Sequence, residues 1–167
     1  LLGALGYDSS IEGYTGPNWQ VSVIKQASGI GLDDGNDEFV GSQAVTRQEA
    51  ALYAFNMLQA TMVEYDKNST VTVGNITIKE QSDAKDMVNT GKTDGNIDKD
   101  GKMQFAEKYF SDLKGTPATD DLGHPSTKWM WKKDKIGTYA NDADETYTLT
   151  GTYEIGTGKD YASLLAV

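Results

Sequence analysis

The residues Thr46-Arg47-Gln48-Glu49 constrain this chain more than any other four. A threonine followed three places later by a glutamate is the pattern of a capping box. The hydroxyl takes the third amide of a helix and the carboxylate takes the amide of the cap itself, so a helix has to begin there. Behind it Ala50, Ala51, Ala54, Met57, Leu58, Thr61 and Met62 form one helical stripe. The break at Asp66-Lys67-Asn68 is the expected end. Upstream, Pro17 suits a first helical turn, and Trp19, Val23, Ile24 and Ala27 keep helical spacing until Gly29 and Gly31. Between the two helices lies a tight acidic loop, Leu32-Asp33-Asp34-Gly35-Asn36-Asp37-Glu38. Phe39-Val40 then returns to the core.

The remainder alternates turns with short regular segments. Thr70–Val73, Gly74-Asn75 and Ile76–Lys79 read as a β-hairpin with a two-residue turn. Residues 80–101 are polar. Met103–Leu113 reads as a helix with Phe105, Tyr109, Phe110 and Leu113 on its apolar face. Lys128–Lys133, Lys135–Ala140 and Thr146–Ile155 read as strands, and Ala162–Val167 as an apolar tail that docks on the body. The fold class is therefore α+β. Three segments follow: 1–6, 7–66 and 67–167, the last with the hairpin at 70–79.

Composition removes several kinds of function. A formal charge of -10 opposes nucleic-acid phosphates and anionic membrane surfaces. The chain has no cysteine and one histidine, His124, which sits in the turn Leu122-Gly123-His124-Pro125. Thiol, zinc-thiolate and acyl-transfer chemistry lose their residues. Paired carboxylates leave a glycosidase as a distant alternative, and the expectation is a protein that is not an enzyme. No apolar run approaches the ~20 residues of a membrane span.

Two constellations have a functional and a structural reading. Asn96, Asp98, Asp100, the Lys102 carbonyl and Glu107 follow the spacing of an EF-hand calcium loop, with Gly101 at its sharp turn. The plainer reading is an Asx-rich turn that caps the next helix. No cofactor is required, and calcium is the one the sequence admits. Trp129 and Trp131 alternate on one strand and so share a face. With Tyr139, Tyr147 and Tyr153 they form either a sugar platform or the core of the β region.

Asn18-Trp19, Val23-Ile24, Gly29-Ile30-Gly31-Leu32, Asp34-Gly35, Phe39 and Val45-Thr46-Arg47-Gln48-Glu49-Ala50 occur in the order and spacing of an S-layer homology module. The match spans about residues 14–65, so residues 7–66 resemble one such module of a bacterial surface protein. The stretch Asp120–Trp129 is similar to segments that follow wall-anchoring modules in gut clostridial surface proteins. This resemblance implies non-covalent anchoring to a cell-wall-linked, pyruvylated polysaccharide, at the extracellular surface. The alternative is a structural or calcium-stabilised spacer without glycan binding. The implied ligand set is Arg47, Trp19, Gly35 and Asp34. Arg47 would offer a fork of donors to a carboxylate, Trp19 an apolar face to a sugar, and Gly35 a close backbone approach. Arg47 could instead pair with Asp33 or Asp34, and Trp19 could belong to the core. The chain departs from the family in having Tyr14-Thr15-Gly16 before the first helix and an unusually acidic loop. Such modules come in threes. Leu1–Leu5 therefore reads as the last turn of a preceding module, to be covered by neighbouring modules, a companion fragment or a second copy.

Overall fold

The computed structural model describes residues 1–66 and 83–141, together with the backbone of Thr70–Val73 and Ile76–Lys79. Helix α1 (Trp19–Gly29) and helix α2 (Arg47–Gln59) form the first half. A two-residue strand β1 (Val63–Glu64) leads to the hairpin β2 (Thr70–Val73) and β3 (Ile76–Lys79), then β4 (Lys85–Asp86). A short helix α3 (Phe105–Tyr109) precedes three strands, β5 (Leu113–Thr119), β6 (Pro125–Trp131) and β7 (Asp134–Ala140). Every strand pair is antiparallel: β1 with β4, β2 with β3, and the meander β5-β6-β7. The chain is thus a mixture of helix and sheet, compatible with α+β. The hairpin has the expected register, with Val73 opposite Ile76 across Gly74-Asn75.

Helix α2 stops earlier than its apolar stripe implies. Ala60 is already extended (φ -70°, ψ 141°), and Met62 and Val63 are buried from an extended backbone. A ladder stops the helix. The Met62 amide bonds the Met103 carbonyl, Met87 bonds Met62, Met103 bonds Met87, and Phe105 bonds Ala60. A β-branched Thr61 and an apolar Met62 satisfy a strand as readily as a helix, and tertiary pairing decides. The ladder joins residues 60–64 to 85–105. The predicted helix Met103–Leu113 contracts to the five residues of α3, and Leu113 instead opens β5 opposite Trp131. The expected strand Thr146–Ile155 and tail Ala162–Val167 lie outside the described residues.

Residues Leu2–Leu5 form a 3-10 turn. Its side chains belong to this chain's own core: Leu2 and Leu5 cluster with Leu32 and Met62, and Leu5 is 0% exposed. Leu1 and Ala4 of the apolar start stay exposed, while Leu2 and Leu5 are covered by this chain's own residues. Gly6 closes the turn in the left-handed region at φ 106°. A Cβ on Gly6 would stand 2.1 Å from the Val63 carbonyl oxygen, so no larger residue fits. Beside it the Tyr65 hydroxyl donates to Glu12 at 2.7 Å and accepts the Asp8 amide at 3.2 Å. Burial, helped by Glu12, pushes the Tyr65 phenol up to about 12.

A second cluster, Ala106, Leu113 and Trp129, is packed by Leu58 and Ile97. Helix α2 joins the two cores, since Met57 faces the first and Leu58 the second. Phe55 on the same helix meets Trp129 edge-on at 5.4 Å.

Candidate functional site

The loop between α1 and α2 is held by the polar face of α2. Thr46 and Glu49 make the full capping box: the Glu49 amide donates to the Thr46 hydroxyl at 3.2 Å, and the Thr46 amide to the Glu49 carboxylate at 2.7 Å. Hydrogen bonding from Thr46, side chain first, holds the Glu49 carboxyl below its ordinary range. The Asn36 amide group reaches both Glu49 (3.2 Å) and the Tyr53 hydroxyl (2.7 Å). One turn further on, the Asn56 amide group spans the carbonyls of Leu32 (3.1 Å) and Asp34 (2.9 Å). Glu49, Tyr53 and Asn56 lie at helical spacing, so one helix face fixes the loop.

This arrangement leaves a cleft of about 210 Å³ beside the start of α2, lined by Trp19, Ile24, Gly41, Val45, Glu49 and Tyr53 among others. Trp19 is 51% exposed at the start of α1. It is therefore an open aromatic surface at the cleft and not a core residue. Gln20 donates to the Gly41 carbonyl at 3.0 Å and ties the far wall to α1. Arg47 sits on the first turn of α2, exposed, and makes no ion pair or hydrogen bond through its guanidinium to any described residue. The anticipated pairing with Asp33 or Asp34 is absent, and the Asp33 carboxylate accepts the Ser28 hydroxyl at 2.7 Å. The amides of Arg47 and Gln48 lie before the first intrahelical bond and have no carbonyl of their own helix to reach.

The four residues of the expected ligand set do not converge. Trp19 lines the first cleft, and Arg47, outside that lining, follows the cap Thr46 on α2. Asp34 and Gly35 line a different groove, of about 530 Å³, between α2 and the three-stranded sheet, with Phe55, Trp129 and Tyr139. Gly35 takes φ 82° at the loop's turn, where a Cβ would meet only Leu52 at 3.6 Å.

The stretch Asn96–Glu107 folds around Glu107 rather than around an open cage. Glu107 is 1% exposed. Its carboxylate accepts the Asn89 amide group at 2.6 Å and the backbone amides of Gly95 (3.2 Å) and Ile97 (3.1 Å). Asn96 turns its amide nitrogen to the Ser111 carbonyl at 2.8 Å. Asp100 accepts the Lys102 amide and the Gln104 side chain, which hold its carboxyl below the ordinary range against the opposing effect of desolvation. Asp98 is exposed, and Lys102 pairs with Asp86 at 2.7 Å. Among the described residues no group of three or more His, Asp or Glu side chains is placed to hold a metal ion. The sequence spacing left Asn89 unnoticed, because it lies 18 residues before its partner.

On the sheet, Trp129 is buried at 6% exposure and Trp131 packs edge-on against Phe110 at 6.4 Å. The core reading of Trp129 holds, while Tyr139 stays 58% exposed beside it. His124 pairs with Asp120 at 2.9 Å in the turn between β5 and β6, which explains its place without any chemistry.

No family model matches this chain, and neither the curated proteins nor the solved structures contain a match.

Proposed function

We propose that this chain is a non-catalytic anchoring module of a bacterial surface protein, holding it to a cell-wall-linked, pyruvylated polysaccharide. Residues 7–66 are the helical S-layer homology module, and the hairpin, α3 and the small sheet follow it. The observation that carries this reading is Arg47. Capping accounts for Thr46 and Glu49, whereas Arg47 has no partner among the described residues and stands at a helix start with free amides. A carboxylate there meets a guanidinium fork and amide donors together, and the exposed Trp19 offers a sugar face across the cleft.

Purified wall sacculi test the reading. Wild-type chain co-sediments, and Arg47→Ala weakens retention by about tenfold or more, as expected for a charge-assisted bond. Retention unchanged by Arg47→Ala, with helicity intact, sinks the assignment of the site. The apolar hollow of about 360 Å³ lined by Leu1, Leu2, Tyr14, Leu32, Phe39 and Tyr53 supports the companion proposal that neighbouring modules or a second copy pack on this face. The Tyr14 hydroxyl is buried there without a partner among the described residues, and burial pushes its phenol up. Light scattering of the isolated chain reads this; a monomer at all concentrations counts against self-association.

A second reading, a structural spacer, draws on Glu107. Its three donors fix the loop, and a bidentate calcium ligand at Glu107 would have to compete with them for the carboxylate oxygens.

A further inference from the structure

The groove between α2 and the sheet has a construction that packing alone does not call for. In register, Trp129 on β6 stands between Gly115 on β5 and Gly137 on β7. Neither glycine has the backbone angles that favour glycine; their role is steric. A Cβ on Gly115 would press the Trp129 ring at 3.3 Å, and one on Gly137 would collide with the Tyr139 ring at 2.7 Å. The two glycines thus let an indole and a phenol lie down across the sheet. Phe55 meets Trp129 edge-on from α2. The β6–β7 register also shifts between Trp129 and Met130.

Two depressions share Phe55, Trp129 and Tyr139. One, of about 480 Å³, is lined by these with Leu58, Leu113 and Ile136 and is wholly aromatic and aliphatic. The other, of about 530 Å³, adds Asp34, Gln59 and Asn141. Each lies within the roughly 300–1,000 Å³ of ligand sites. The Asp34 carboxylate and the Gln59 amide make no hydrogen bond to any described residue. Asn141 uses its Oδ1 for Thr127 at 2.8 Å, which leaves its amide nitrogen to donate. No lysine or arginine lines either depression.

We propose that this groove binds a neutral oligosaccharide. A sugar chain presents apolar ring faces and equatorial hydroxyls on one molecule, which is the division the groove shows: rings against the exposed Tyr139 and Phe55, with the buried Trp129 beneath them, and hydroxyls against Asp34, Gln59 and Asn141. A carboxylate with no cation beside it rejects an anionic glycan. The site is therefore separate from the Arg47 cleft and does not rest on the reading given for it.

The test uses the whole chain, with cellohexaose and chitohexaose as neutral probes and polygalacturonate as the anionic control. The Trp129 indole N–H resonance is followed by NMR, with affinity from calorimetry. A saturable shift is expected with at least one neutral hexasaccharide and none with polygalacturonate. Tyr139→Ala, at an exposed position, weakens binding by about tenfold, the scale of one lost aromatic contact. Gly137→Ala does the same by moving the Tyr139 ring. The proposal is overturned by no shift with either neutral probe at millimolar concentration. Binding equal in Tyr139→Ala and wild type, with unchanged circular dichroism, overturns it too, as does a Trp129 shift that tracks protein concentration and marks self-association.

Discussion

One glutamate organises the loop before α2 and another the loop before α3, and the two differ in almost every other respect. Glu49 is partly exposed, bonds an amide three residues away, and takes up Asn36 as a further partner. Glu107 is buried, and its partners lie ten, twelve and 18 residues away. At Glu49 water replaces whatever is lost. At Glu107 water cannot do so for the buried Asn89 amide, and does so only in part for the part-buried amides of Gly95 and Ile97. The first loop is therefore tolerant and open to a ligand at its edge, and the second is a closed structural unit.

The largest break in this contrast is expected from Glu107→Ala, which strands the buried Asn89 amide and two part-buried backbone amides and lowers stability by about 3 kcal/mol. Denaturant unfolding measures it; a loss under about 1 kcal/mol would show that solvent reaches the loop after all. Glu107→Gln sharpens the point. It keeps an oxygen for Gly95 and Ile97 but sets an amide against Asn89, so about 2 kcal/mol is expected from one misplaced contact. Thr46→Ala removes only the cap and costs about 1 kcal/mol. The smallest effect is that of pH on Glu49. Its carboxyl is held below the ordinary range, so the ionised form stabilises the fold above the unfolded value near ~4.3. That contribution fades as pH falls through the lower folded value. The difference in melting temperature between wild type and Glu49→Gln should shrink across that window, and a difference constant from neutral to acid pH would contradict it.

The same contrast explains what could be read from the residues alone. The capping box, the hairpin at 70–79 and α1 are specified within four or five neighbours, and they stand as expected. The polar stripe Glu49, Tyr53 and Asn56 was equally local and could have announced that α2 holds its own loop. The end of α2 and the shortness of α3 were not legible. The first is set by the ladder through Met62, Met87 and Met103 and the second by the pairing of Leu113 with Trp131, partners far apart in sequence. Asn96, Asp98, Asp100 and Glu107 have calcium-loop spacing, yet which way each carboxylate turns depends on Asn89 and the amides of Gly95 and Ile97. The expected ligand set divided for a similar reason: α2 separates the surface next to Trp19 from the surface next to Asp34, and spacing along the chain does not record which side of a helix a loop passes.

The fit of Gly6 against Val63 has a consequence for the order of events during folding. The N-terminal turn and the strand that covers it are separated by both helices, so their meeting closes a long loop. Leu2 and Leu5 cannot find their final place until α1, α2 and the strand after them have assembled. The beginning of this segment is thus the last part of its first half to lock. A bulkier residue at position 6, which cannot fit against the Val63 carbonyl, would leave the helices free to form and block that final closure.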